Sequence, residues 1–203
     1  MTAKLDLYRL HKAEYVAPRS PVLLRVKPAK YLTIAGAGEP GGGAFEEAMG
    51  ALYAVAFTIK MAKKAAGRDY KVAGPEGLWW GAPKGKLLID SAPSMWRWKL
   101  IMRLPTFVTA RDRAAAVRLL LAKGKVSIVR KVKVETLREG RCVQALHVGP
   151  YREEHPTIRR MMEFAQKHRL VVRGKHHEIY LSDPRRVAEA KLRTILRLPV
   201  GAR

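Results

Sequence analysis

The heptapeptides KLIMRLP, Lys99 to Pro105, and RTILRLP, Arg193 to Pro199, stand 94 residues apart and match in their basic, apolar and proline positions. A repeat at that spacing constrains the fold before any single residue is considered, because each copy must be one supersecondary unit with a place in a shared core. Upstream of the first copy run KYLTIAG, AFEEAMGALYAVAFTIKMAKKAAG and EGLWWG; upstream of the second run CVQALHVG, PTIRRMMEFAQKHRL and HHEIYL. Apolar alternation and helical periodicity assign both sets the same order: strand, helix, strand, strand. At 203 residues the chain is long enough to bury a substantial core across two such halves.

Within the first helix Phe45, Met49, Leu52, Ala56 and Ile59 recur at steps of three and four and form one apolar stripe, while Tyr53, Phe57 and Met61 form a second. Two stripes predict two covers, the second supplied by an N-terminal arm, residues 1–28, through Leu5, Leu7, Tyr8, Leu10 and Tyr15. Gly67 closes this helix, and Pro156 suits the first turn of the second one, whose single stripe is Ile158, Met161, Met162 and Ala165. ARDRAAAVRLLLAKG reads as a connector helix closed by Gly124, and VSIVRKVKVETLREG as a strand ending in a turn. The expected organisation is one domain: arm 1–28, first module plus connector 29–125, second module 126–203.

TIAGAGEPGGG contains a literal G-x-G-x-x-G at Gly36, Gly38 and Gly41. Dinucleotide binding needs more, namely a parallel βαβ unit and an acid about 20 residues onward for the ribose. By position Gly36 corresponds to Gly149, where the loop GPYREEHP carries no glycine code, and the first helix is followed by the basic RDYKV. The motif is therefore read as a turn, and no cofactor is expected.

Forty Lys plus Arg against 17 Asp plus Glu leave a formal charge of +23, which attracts polyanions. The basic residues lie in short scattered groups (MAKKAAGR, VRKVKV, IRR, DPRRV), which reads as a solvated surface with nonspecific, salt-sensitive attraction to nucleic acid. No apolar run is long enough for a membrane helix, and MTAKLDLYRLHK lacks the apolar centre of a signal peptide, so a soluble cytoplasmic protein is expected. Cys142 is the only cysteine, which excludes an internal disulfide and any C-x-x-C pair.

In HHEIYLSD, strand alternation sets Ile179 and Leu181 on one face and His176, Glu178, Tyr180 and Ser182 on the other. With helices over the apolar face, Glu178 and Tyr180 are expected on the opposite side. There, with Tyr151 and the indoles of Trp79, Trp80, Trp96 and Trp98, they either line a ligand cleft or leave Glu178 ion-paired on a wet sheet. Trp96 and Trp98 share a face with Leu100 and Met102, a core pattern; of Trp79 and Trp80, one points inward and one outward. Glu153 and Glu154 precede the second helix, where they either complement its dipole or supply a second carboxyl group for acid–base work. His176 and His177 point to opposite faces and no third donor follows at metal-ligand spacing, so no metal is expected. There is no nucleophile elbow, P-loop or H-E-x-x-H.

Taken together, KLDLYRLHKAEY, YLTIAGAGEP, ALYAVAFTIK, EGLWWG, WRWKLIMRLPTFV, LHVGPYREEHPTI, HHEIYLSDPRRV and KLRTILRLPV make the chain resemble, over nearly its whole length, the GyrI-like small-molecule-binding family, in its standalone branch with an N-terminal arm. The resemblance implies an α+β fold in which two strand-helix-strand-strand modules form an antiparallel sheet, helices on one face and a ligand cleft between modules. Related effector domains bind bulky, often cationic aromatic compounds with a buried glutamate, and some standalone members hydrolyse cyclopropane-bearing DNA-alkylating compounds without a cofactor. Carried over, Glu178 and Glu154 become the acid–base pair with Tyr180 beside them, and Trp80, Trp98, Tyr151, Phe57 and Trp79 become pocket walls. Two other readings stand beside hydrolysis: noncatalytic sequestration of aromatic or cationic ligands, and a gyrase-inhibitor role that rests on the family name and the charge.

Overall fold

The computed structural model describes residues 4–81, 91–125 and 127–202; the first three residues of the arm and residue 126, the expected start of the second module, lie outside that set. Nine strands, β1 (Val22–Val26), β2 (Ala29–Ala37), β3 (Glu76–Trp80), β4 (Arg97–Arg103), β5 (Lys133–Leu137), β6 (Gly140–Val148), β7 (Leu170–Val172), β8 (His176–Tyr180) and β9 (Arg193–Ala202), accompany five α-helices among the described residues. The helices are α1 (Leu7–Leu10), α2 (Lys12–Tyr15), α3 (Gly43–Ala65), α4 (Ala110–Ala122) and α5 (His155–Lys167). The strands form a curled antiparallel sheet in the order β1-β6-β9-β8-β3-β4-β2-β5, with β7 on the far end of β9. The fold is α+β, as the repeat and the resemblance imply.

Both halves are built the same way. In the first, β4 lies between β2 and β3; in the second, β9 lies between β6 and β8. Gly38 N donates to Trp96 O just before β4 starts, and Gly149 N donates to Leu192 O just before β9 starts. Those matching bonds make Gly38, not Gly36, the counterpart of Gly149, and both take a left-handed backbone, φ +99 and +134. They also set Trp96 on Leu192, 96 residues apart rather than the 94 of the heptapeptides. A slip of two leaves every side chain on its own face of a strand, so pattern matching cannot detect it. The strand ahead of each module crosses to the other one: β1 pairs with β6, and β5 takes the same place on β2.

Gly36 has a packing role. A Cβ built there would lie 2.2 Å from an indole carbon of Trp98, and β2 pairs antiparallel with β4, so the parallel geometry of a dinucleotide fold is not present. Trp98 is 1% exposed and forms the core with Leu32, Ile34, Leu100 and Met102 beneath Leu52, Val55 and Ile59 of α3. Each such aliphatic side chain contributes about 1.5–3 kcal/mol when fully buried. A smaller core of Val143, Ala145, Leu196 and Leu198 sits beneath Met161 and Ala165 of α5.

Two expectations about faces are corrected. The second stripe of α3 is not covered by the arm: Phe57 and Met61 are 50% and 56% exposed. The arm divides instead: Leu5 and Tyr8 reach the α3 core, while Tyr15 and Ala17 lie on the sheet face away from α3 and α5 and pack on Ile179 and Ile195. Because the arm supplies that apolar cover, α3 and α5 flank the other face, and Glu178 and Tyr180 stand on the helix side of the sheet, not opposite it.

A buried ionic chain holds the arm down. Glu14 of α2 accepts from Arg103 at 2.5 Å, and the Tyr15 hydroxyl donates to Glu76 at 2.9 Å. His177 reaches Glu76 through Nε2 and Glu139 through Nδ1, both at 2.9 Å. Arg197 bonds Glu139 at 3.0 Å, Gln144 at 2.9 Å and the Glu14 carbonyl at 2.6 Å. Burial opposes a charge on His177, but the adjacent Glu139 and Glu76 carboxylates outweigh it and push its pKa up. Sequence reading assigned none of these residues a partner, since Glu76–His177 joins groups 101 residues apart.

Replacing Gly36 with Ala forces Trp98 out of its place and is expected to destabilise the protein by about 1–3 kcal/mol, read as a lower urea midpoint; an unchanged midpoint would show that the indole yields freely.

Candidate functional site

Between α3 and α5 the sheet floors a cleft of about 2080 Å³. Its floor comes from β8 and β3, its walls from Phe45, Met49, Tyr53 and Phe57 of α3 and Ile158 and Met162 of α5. β8 runs His176, Glu178, Tyr180 along the cleft side by simple alternation, while His177 and Ile179 are 0% exposed on the other side.

The two halves meet in this floor. β3 and β8 pair antiparallel with Gly77 opposite Glu178 and Leu78 opposite His177. A Cβ on Gly77 would lie 2.6 Å from both Trp79 Nε1 and the Tyr180 hydroxyl, so glycine there is what lets those two groups meet in front of it. They do meet: Trp79 Nε1 donates to the Tyr180 oxygen at 3.2 Å, and Tyr180 donates to Glu178 Oε2 at 2.8 Å. His176 Nε2 lies 3.1 Å from the other oxygen, Glu178 Oε1. Glu178 thus has a donor on each oxygen.

Glu154 arrives from the turn before α5. It is 3% exposed, one of its oxygens lies 3.9 Å from His176 Nε2, and the other has no hydrogen-bond partner. Its neighbour Glu153 points to solvent, so the pair divides as one inward carboxyl and one surface carboxylate. Burial, followed by the Glu178 charge, pushes the Glu154 pKa up to about 8. For His176, burial works against the charge, but the adjacent Glu154 and Glu178 carboxyl groups outweigh it and raise the pKa to about 9. Burial and the Glu178 charge hold the Tyr180 phenol well above its ordinary value, so it stays a donor. At neutral pH Glu154 therefore keeps its proton and His176 is an imidazolium.

Glu154, His176 and Glu178 each offer a donor atom, all within 4.8 Å of one another, and they are the group among the described residues that could hold a metal ion. Sequence reading found no third donor for His176 because Glu154 lies 22 residues away on a different element. Both Glu178 oxygens already accept hydrogen bonds, so a metal there would displace the His176 proton.

The aromatic residues separate clearly. Phe45 stacks on Trp79 at 5.8 Å, Trp96 meets Trp79 edge-on at 6.0 Å, and Tyr151 meets Tyr180 edge-on at 5.7 Å. Trp80 turns to the other side of β3 from Trp79, yet reaches the cleft margin with the Lys175 ammonium 3.3 Å from its ring centre. Phe57 is at the exposed rim. Trp98 is not a wall: its alternation with Leu100 and Met102 carries it into the core under Phe45, which stands between it and the cleft with ring centres 5.3 Å apart. Phe45 and Met49, read from the sequence as part of a core stripe, pack against the core and also line the cleft, and Trp96 joins them.

Residues 111–200 match the model of the GyrI-like small molecule binding domain. Over 98% of this chain and 100% of theirs, three structures from Listeria innocua are similar: an uncharacterized conserved protein at 38% identity and TM-score 0.89, and two described as hydrolases at 36% and 35% identity with TM-scores 0.88 and 0.87. The C-terminal domain of EcmrR shares the fold at TM-score 0.61 but only 8% identity. No curated protein matches the chain.

Glu154 gives the site a pH signature. Unfolded, its carboxyl ionises near 4.5; folded, it keeps its proton to about 8, so stability is fully present below pH 4.5 and is lost progressively toward pH 8. His176, raised from 6.5 to about 9, acts in the same direction at higher pH. Urea titrations at pH 5 and pH 8.5 should therefore show Glu154→Gln gaining about 1–4 kcal/mol relative to the parent across that interval; parallel curves would mean that Glu154 is ionised in the folded protein.

Proposed function

Starting from the premise that the chain belongs to the GyrI-like small-molecule-binding family, we propose that it is a hydrolase of aromatic compounds bearing an activated cyclopropane. The observation that carries this reading is a carboxyl group and a carboxylate, Glu154 and Glu178, held side by side at the floor of an aromatic cleft with a phenol fixed beside them. Two relatives at 35% and 36% identity are described as hydrolases, which supports the same class of reaction.

The chemistry follows from the protonation states. A cyclopropane conjugated to a dienone opens when its carbonyl oxygen gains a proton as water attacks the strained carbon. Glu154, neutral below about pH 8, is the proton donor to that oxygen. Glu178 takes the proton from the attacking water; the new carbon–oxygen bond forms as the ring carbon–carbon bond breaks, and its electron pair aromatises the dienone to a phenol. One water is consumed and the product is an alcohol. His176, within reach of both carboxyl groups, returns the proton from Glu178 to Glu154. Tyr180 keeps Glu178 aimed, and its own orientation is fixed by the Trp79 indole. Phe45, Trp79 and Tyr151 supply faces and edges for the aromatic part of the ligand.

Glu178→Gln is expected to lower turnover of a spirocyclopropyl dienone by about 10²-fold or more while binding, followed by tryptophan quenching, persists. The water adduct is read by mass spectrometry. Parental turnover in that variant would remove Glu178 from the chemistry, and recovery of unchanged compound from the parent would leave sequestration as the function. In the parent, turnover should fall as the pH passes about 8, where Glu154 loses its proton.

A further inference from the structure

We propose that His176 is a built-in countercation that makes this cleft select uncharged, hydrogen-bond-accepting aromatic ligands over lipophilic cations. The inference rests on the cleft being the ligand site, and does not depend on hydrolysis.

A pocket that takes an aromatic cation needs uncompensated negative charge at the depth where the cation sits, since burying an unpaired charge is costly. Glu154 and Glu178 look suited to that purpose. Between them, however, stands the His176 ring, its Nε2 3.1 Å from Glu178 and 3.9 Å from Glu154. That is the position an ammonium or phosphonium centre would have to share. An imidazolium there leaves one carboxylate balanced and the other carboxyl protonated, so the three groups sum to zero; the raised pKa values of His176 and Glu154 agree with that count. The walls do not restore a negative field. The other charged residues lining the cleft are Glu39, Glu46 and Asp183 against Arg152, Lys175 and Arg185, three of each sign. Of the acids, Asp183 is already paired with Arg185 at 2.8 Å.

What the floor does offer is hydrogen-bond donation. The Glu154 carboxyl proton has a buried, unpartnered oxygen beside it, and burying a polar group without a partner is costly. A neutral carbonyl or similar oxygen supplies the acceptor; an aromatic cation supplies none and meets the imidazolium instead. At separations of 4–6 Å and the intermediate dielectric of a cleft, the repulsion between two unit charges amounts to about tenfold or more in affinity.

The test uses the full chain and two unreactive probes with the same aryl bulk, triphenylphosphine oxide, a neutral acceptor, and tetraphenylphosphonium, a cation, titrated calorimetrically at pH 7. The parent should bind the oxide at least about tenfold tighter, and His176→Gln, which leaves Glu178 uncompensated, should shift that ratio at least about tenfold toward the cation. Equal binding of both probes by the parent overturns the proposal without any variant, so it stays testable even where His176→Gln fails to fold. An unchanged ratio in a folded His176→Gln protein overturns it as well. Failure of the oxide to bind counts against the cleft as a ligand site and so against this inference, and failure of the cation alone agrees with it, whereas absence of turnover on a cyclopropane substrate leaves it untouched.

Discussion

The floor of the cleft depends on how one histidine is held behind it. His177 is wholly buried and reaches a carboxylate through each ring nitrogen, Glu76 on β3 and Glu139 in the turn between β5 and β6. A ring with a carboxylate at both nitrogens donates twice, so it is an imidazolium, and taking any one member away leaves a buried charge unmatched. Its position on β8 is fixed by that demand. Strand alternation then leaves no choice for the next residues: with His177 locked to the far side, His176 and Glu178 must face the cleft. The same chain of charges runs through Arg197 and Arg103 to Glu14, so the arm that closes the far face is bound to the strand that carries the site.

Internal duplication explains why this floor is asymmetric. Trp79 and Tyr180 occupy corresponding places on β3 and β8 and join by a hydrogen bond where the halves meet; the counterpart of Glu178 is Gly77, directly opposite it in the register. A second acid at position 77 would put two carboxylates face to face and would also strike the indole and the phenol. One half therefore contributes an acidic strand and the other an aromatic one, and the second carboxyl comes from Glu154, outside the sheet, where burial holds it neutral.

Much of this was legible in the sequence, and the rest was not for identifiable reasons. Period-2 alternation grouped His176, Glu178 and Tyr180 correctly, and helical phasing found both stripes of α3, because each rests on residues close together in the chain. Which side the helices took was not legible, because the apolar face of β8 is covered by something other than a helix: Ile179 looks like a helix-facing residue but is covered by Tyr15 and Ala17 of the arm. For Trp98 the alternation with Leu100 and Met102 points to the core and only the family resemblance points to a wall; Gly36 clears the place that the indole takes in the core. The short β7 was missed for lack of length, three residues being too few to establish a period.

The charge of +23 is the most conspicuous feature of the composition. None of that excess is spent in the cleft, where the lining residues balance, and only Arg103 and Arg197 among the described arginines are fully withdrawn, each against carboxylates. The other described basic side chains stand largely on the outer surface, which a salt-screened field describes better than a specific contact. The molecule thus keeps two electrostatic regimes apart. Outside, charge is plentiful, wet and weakly directional. Inside, a few buried groups are counted proton by proton, and there the loss of one imidazole changes which ligands the site admits.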